Sequence, residues 1–185
     1  SSDLVDVVRR HARIVCDLGD VPVRVTVGPG QSQELTEVVV ITKDRPGLLA
    51  DVAAVLSAHK LGIVNAEIYT RQRPAGPEAF DVFQVMADSK MKIDAPSLVQ
   101  KLEMDLSRRI AGEITAEALL SRSSRAPSWA NRRAPNVPTE VMVDNASSSR
   151  FTLVDVFTRD RVGLLYLVAS TLYELGLEIT LSKVN

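Results

Sequence analysis

The residues with the most chemistry within reach form one short stretch, Thr42-Lys43-Asp44-Arg45-Pro46-Gly47-Leu48-Leu49. It returns as Thr158-Arg159-Asp160-Arg161-Val162-Gly163-Leu164-Leu165. Each copy follows a β-branched run and precedes a helix-patterned run, so each reads as a strand-to-helix turn. The first N–H groups of a helix have no intrahelical partners. With the helix dipole they favour an anionic or carbonyl group. Gly47, lacking a Cβ, lets a ligand approach the backbone, and Asp44 can accept from an ammonium or amide. Such a turn suits a free amino acid. The same residues also make a good helix start: Pro46 opens the helix where its missing N–H costs nothing, and Asp44 is placed as an N-cap acceptor. The turn by itself leaves a binding role and a structural role open.

Catalysis fails on inventory. The chain has two histidines, His11 and His59, one cysteine, Cys16, no phosphate-cradling glycine–lysine loop and no acidic cluster with metal-ligand spacing. No catalytic residue, metal site or cofactor is expected in this region. The 185 residues carry a net charge of −1, which gives no global electrostatic case for nucleic acid. An RNA platform would need stacking aromatics on its central strands. Leu35–Ile41 has none, and Phe80 and Phe83 fall on opposite faces. No apolar run approaches the roughly 20 residues of a membrane span. The N-terminus reads as an amphipathic helix and not as a signal peptide. A single cysteine excludes a disulfide framework and fits a reducing cytoplasm. No initiator methionine is present and the second repeat stops early, so both ends are expected to be cuts in a longer protein.

These turns are positioned by a repeat whose offset, Thr42 to Thr158, is 116 residues. At that offset Pro22 meets Pro138, Val52 meets Val168, Leu56 meets Leu172 and Ile63 meets Ile179. Apolar spacing predicts a helix over 3–18. A leading strand is expected over Val21–Val27 and a second strand over Leu35–Thr42. A helix then starts at Pro46, followed by a strand over Leu61–Thr70, a hairpin loop over Arg71–Glu78 and a strand over Phe80–Met86. Pro96 starts a second helix. Residues 121–136, rich in arginine, serine and proline around Trp129 and without an acid, read as a linker and not as a nucleic-acid site. Val137–Val143, Phe151–Thr158, the helix Val162–Leu175 with Gly176 as its stop, and a strand beginning at Leu177 repeat the first unit.

The fold class is therefore α+β, with two split βαβ units of ferredoxin-like type, each an antiparallel sheet with its helices on one face. The expected divisions are a linker helix over 1–20, a first unit over 21–120, a linker over 121–136 and an incomplete second unit over 137–185. The leading strand is placed at the sheet edge beside the strand 35–42; the rival is that Val137–Val143 closes the first sheet instead. The other sheet face is expected to be bare and to invite pairing.

The strand, Asp44-Arg45-Pro46-Gly47-Leu48-Leu49, the helix and Leu61-Gly62-Ile63 together resemble an ACT domain, a small-molecule-sensing module that regulates enzymes. The longer order resembles the C-terminal region of the PII uridylyltransferases. It comprises a helix with His11, a leading strand, one ACT unit, an Arg-Pro-rich link and Val137-Pro138-Thr139-Glu140-Val141-Met142-Val143 before a second ACT unit. The resemblance implies a bifunctional parent in nitrogen regulation. That parent would transfer UMP from UTP to a tyrosine of the PII signalling protein and remove it hydrolytically. The catalytic domains, which use Mg or another divalent metal, would lie before Ser1. It implies sensing of glutamine or another amino acid by the ACT region, and ACT–ACT pairing within or between chains. Carried over by position, the ligand residues are Asp44, Arg45, Pro46, Gly47, Leu48 and Leu49, with Asp160, Arg161, Gly163, Leu164 and Leu165. The chain departs at Val162, where proline is usual, and at Gly62, where many amino-acid-binding ACT domains place asparagine; the second copy has Glu178. Other readings are a free-standing ACT-repeat protein and a dimerisation module without ligand.

Overall fold

The computed structural model describes residues 2–16, 22–87, 95–122, 138–159 and 161–180. The elements in order are α1 (Ser2–Cys16), β1 (Val23–Pro29), β2 (Thr36–Lys43), α2 (Leu48–Ala58), β3 (Leu61–Glu67), β4 (Thr70–Arg73) and β5 (Gly76–Ala87). There follow α3 (Ala95–Ile110), α4 (Ala116–Arg122), β6 (Glu140–Asp144), β7 (Leu153–Phe157) and α5 (Leu164–Glu174). The first sheet runs β1-β2-β5-β3, with β4 also on β5. Every pairing is antiparallel. The leading strand takes the edge position: Val23 stands opposite Thr42 and Pro29 opposite Thr36. The strand Glu140–Asp144 pairs with β7 and not with the first sheet, so the rival closure does not occur.

Period-two alternation sets the core. Val23, Val25, Val38, Val40, Phe83 and Val85 face α2 and α3 and are buried there. From α3 come Leu98, Leu102 and Leu106, at helical spacing and each less than a tenth exposed. Burying one such side chain contributes roughly 1.5–3 kcal/mol. Helix α2 goes further, for ten of its residues, Leu48 to Ser57, are buried. A helix apolar on all sides must be covered on all sides, and α2 touches α3, α4, α5 and β3.

The opposite sheet face is not bare. Val39, Ile41 and Val82 are buried there with Ile14 of α1 and Phe80 packed on them. The His11 and Phe80 rings meet edge to face, with centroids 5.6 Å apart. Glu37 is buried on this face, 2.8 Å from Arg10 Nη2 and 3.0 Å from His11 Nε2, and accepts from Gln84 Nε2 at 3.2 Å. The continuous run Val38-Val39-Val40-Ile41 fits a strand covered on both sides.

Further corrections concern boundaries. The loop expected over 71–78 shrinks to Pro74-Ala75, because Gly76 and Pro77 already pair with Arg73 and Gln72. The Pro77 carbonyl accepts from the Asp44 N–H at 3.0 Å. Helix α4 was not expected. Thr115 Oγ1 caps it by accepting from the Ala118 N–H at 3.1 Å, and it includes Ser121 and Arg122, assigned above to the linker. The rest of that linker lies outside the described residues. Residues 177–180 form no strand, and 181–185 lie outside the described residues. Gly176 does stop α5. Its φ of 76° lets Leu177 N–H reach the Leu172 carbonyl and its own N–H reach that of Tyr173, both at 2.9 Å.

Leu119 is the α4 side chain buried against the main core, at 0% exposure. Leu119→Ala should cost about 2–5 kcal/mol, read by chemical denaturation. Leu175→Ala, at a position 69% exposed, should stay within about 0.5 kcal/mol of the parent chain.

Candidate functional site

Both turns are tighter than a helix start. Leu48 N–H donates to the Arg45 carbonyl at 3.2 Å, and Gly47 has φ 79° and ψ 0°. These are the values of the third position of a type II turn, where glycine is favoured and proline is common just before it. The second copy matches: Leu164 N–H donates to the Arg161 carbonyl at 3.1 Å, with Gly163 at φ 75° and ψ 14°. Glycine is thus required by the backbone itself. Val162 stands where proline is favoured but not demanded. Helix α2 therefore begins at Leu48, two residues later than expected, and no side chain caps it. Asp44 is not the N-cap. Its carboxylate accepts from Thr70 Oγ1 at 2.5 Å, tying the turn to β4. Asp160 lies outside the described residues.

The two arginines have different fates. Arg45 Nη2 bonds to Oδ2 of Asp51, a buried acid in the first turn of α2. Arg109 Nε of α3 stands 2.9 Å from the other oxygen of Asp51. Burial pushes the Asp51 pKa up, and the guanidinium groups of Arg109 and Arg45 oppose it. A repeat later, the place of Asp51 is taken by Leu167, which is exposed. Arg161 is exposed and has no ion-pair partner among the described residues.

The glycines differ as well. Helix α5 packs on α2, and the ring of Tyr173 lies 3.4 Å from where a Cβ on Gly47 would stand. The first turn is roofed, and Leu48 and Leu49 are core residues. At Gly163, among the described residues, only Leu120 comes near, at 4.0 Å. Arg161, Gly163, Leu164 and Leu165 instead line a cavity of about 1140 Å³, whose facing wall includes Leu61-Gly62-Ile63-Val64 of β3 and Thr70. Glu178, Arg150 and Asp155 also line it. β3 is the outer strand of its sheet, so one row of its backbone groups is unpaired within the sheet. Of the site residues expected, the structure brings Arg161, Gly163, Leu164 and Leu165 to this cavity. Asp44, Arg45, Pro46, Gly47, Leu48 and Leu49 are not on its wall.

Residues 36–103 match the ACT domain family. This segment is an ACT domain. Its fold is the ferredoxin-like α+β arrangement described above. The whole chain matches the ACT-bearing region of bacterial bifunctional uridylyltransferase/uridylyl-removing enzymes. The relative from Gluconobacter oxydans is 30% identical over 182 residues, 97% of this chain and 19% of that protein. That from Rhodospirillum rubrum is 30% identical over 179 residues, 95% of this chain and 19% of the relative. The Phenylobacterium zucineum protein is 34% identical over 152 residues, 80% of this chain and 15% of the relative. The chain thus spans about a fifth of the length of the curated relatives it matches. Among the described residues no group of three or more His, Cys, Asp or Glu side chains is arranged to hold a metal. None of their helices is long and apolar enough to cross a membrane.

One residue of the ACT domain escaped sequence reasoning. Asp81 is 1% exposed in β5, among core residues, and accepts from the Tyr69 N–H at 3.4 Å. An acid inside the apolar run Phe80-Asp81-Val82-Phe83 was the available signal. Burial pushes its pKa up to about 7, and the charge of Asp44 adds to the rise. The native state therefore holds this proton to higher pH than the unfolded chain does. The stability it carries is complete below the ordinary carboxylate range and is lost as pH rises through about 7. Asp81→Asn should flatten the fall in Tm between about pH 4 and pH 7; an unchanged slope would assign that fall to other groups.

Proposed function

We propose that this chain is the amino-acid-sensing ACT region of a PII uridylyltransferase/uridylyl-removing enzyme, that glutamine is its first ligand, and that the second turn is where it binds. The observation that carries this reading is the asymmetry of the two turns. One is closed by Tyr173 and by the pair of Arg45 with Asp51; the other faces an unpaired strand edge across a cavity. The N–H groups that open α5, with Arg161, would take the α-carboxylate. Asp155 and Glu178, on the cavity wall, would take the ammonium group. The outer edge of β3 would read the side-chain amide, and Gly62 leaves room for it.

UMP transfer to PII and its hydrolytic reversal would then be carried out by the four fifths of the relatives that this chain does not match, with Mg or another divalent metal bound there. The ligand would bias that chemistry only through unequal affinity for two arrangements. Helix α1 is a candidate element for the bias, since Arg10, His11 and Ile14 fasten it to the sheet; Val8, 58% exposed, does not. Cytoplasmic location follows from this reading. A second reading, a module without ligand, draws on the same roofed turn and on the packing of α5 against α2. There the sequence repeat would serve pairing alone.

Calorimetry on this chain distinguishes them. Glutamine should bind saturably, and Arg161→Ala should weaken it about tenfold or more, as for loss of a charge-assisted contact. Arg45→Ala should lower Tm and leave the affinity of the folded protein unchanged. Absence of heat with any amino acid at millimolar concentration, from a folded sample, supports the second reading.

A further inference from the structure

A second cavity, of about 600 Å³, lies between α1 and β1, on the sheet face away from α2. Among the described residues its wall carries Arg9, Arg10 and Arg13 from the helix, Arg24 and Thr26 from the strand, and one acid, Asp6. The chain as a whole has a net charge of −1, so four guanidinium groups around one cavity are a local concentration. Three of them follow from helix geometry: residues 9, 10 and 13 fall on one side of α1. Arg24 and Thr26 share one face of β1 because strand side chains alternate.

Among the described residues the charge there is poorly balanced. Asp6 stands 3.6 Å from Arg9, with both side chains at least 70% exposed, so that pair is weak and screened. Arg10 is neutralised by buried Glu37. Arg13 and Arg24 make no ion pair among the described residues. Arg24 Nε is buried without a hydrogen-bond partner among the described residues. Like charges brought together repel, and a buried donor left unbonded is costly. One ligand relieves both: an anion with several oxygens. The planar fork of arginine matches phosphate oxygens two at a time. Two guanidinium groups without an ion pair among the described residues suit a ligand with more than one negative charge. Among the described residues Ile14 is the one apolar residue on the wall, and the methylene stems of the arginines supply the rest of its apolar surface.

We propose that the α1–β1 cavity is a binding site for a polyphosphate chain, free or as the tail of a nucleotide. Arg13 and Arg24 would be its principal ligands, and Arg10 its tether to the sheet through Glu37. The site is separate from the amino-acid cavity and does not rest on the function proposed above.

The test is titration of this chain with sodium tripolyphosphate and with a nucleoside triphosphate, without added metal, by calorimetry at low and at moderate salt. Saturable binding with one site is expected, weakening as salt rises. Arg24→Gln should weaken tripolyphosphate binding about tenfold or more. Arg24→Lys should weaken it less, keeping the charge but losing the fork. Arg108→Gln, on α3, should leave it unchanged. Equal affinities for the two ligands assign the site to the phosphate chain alone; tighter nucleotide binding adds a contact to the base or sugar. Absence of saturable binding overturns the proposal. So does equal weakening by Arg108→Gln, which would mean diffuse charge, or binding of an acidic peptide that tripolyphosphate does not displace. Thermal unfolding of each variant confirms that folded protein is being compared.

Discussion

Helix α2 has almost no side to give to water. Eleven residues with ten buried cannot lie on a sheet as an ordinary amphipathic helix does, half in and half out. The first unit supplies the sheet beneath, α3 beside it, and α4 as a short extra cover. The last gap is filled from the second unit by α5, where Ala169 is buried in the same core. The arrangement of the two units therefore follows from the hydrophobicity of one helix. Small residues make the fit close: Ala53 and Ala54 of α2 are fully buried, which lets neighbouring backbones approach.

Close packing around α2 leaves a polar problem, and three acids meet it in different ways. Asp51 is held between Arg45 and Arg109. Asp105 of α3, also buried, lies 2.9 Å from His59 Nε2 and 3.3 Å from Arg122 Nη1, and so joins the end of α2 to α3 and α4. Asp81 accepts only a backbone N–H among the described residues, and burial holds its proton up to about pH 7. A buried charge is tolerated when paired and avoided by protonation when it is not. Two of the three pairings use residues of the turn or of the helix layer, which is why the first turn reads as structure. Its arginine is occupied before any ligand arrives.

The repeat, the strand order and the helix-facing core were legible in the sequence because they rest on local periodicity and on the composition of turns. What was not legible rests on contacts between distant positions. The apolar stripe of α1 announces a partner but not which one, so the sequence leaves open what covers the far sheet face. The hairpin at Pro74-Ala75 was overestimated because proline and glycine mark turns in general, whereas here Gly76 and Pro77 sit in a ladder that tolerates them. Helix α4 has seven residues, too few for periodicity to register. The two ligand turns looked alike because their own residues are alike. The difference lies elsewhere: Asp51 against Leu167, and Tyr173 against Ser57, which stand in equivalent places of the two copies.

The buried carboxylate of Glu37 has a consequence for how such a chain can change over generations. Arg10, His11 and Gln84 all converge on it, from a helix and a neighbouring strand. Removing one partner of a buried ion pair commonly costs about 3–5 kcal/mol, whereas replacing the whole set with apolar residues is often neutral. Single steps away from this cluster are therefore steep and joint steps are shallow. Among descendants of this sequence the four positions should be inherited together or lost together, while the exposed residues of the same helix drift independently. Such a block of covarying positions would record, in sequences alone, that α1 and the sheet have been selected as one body.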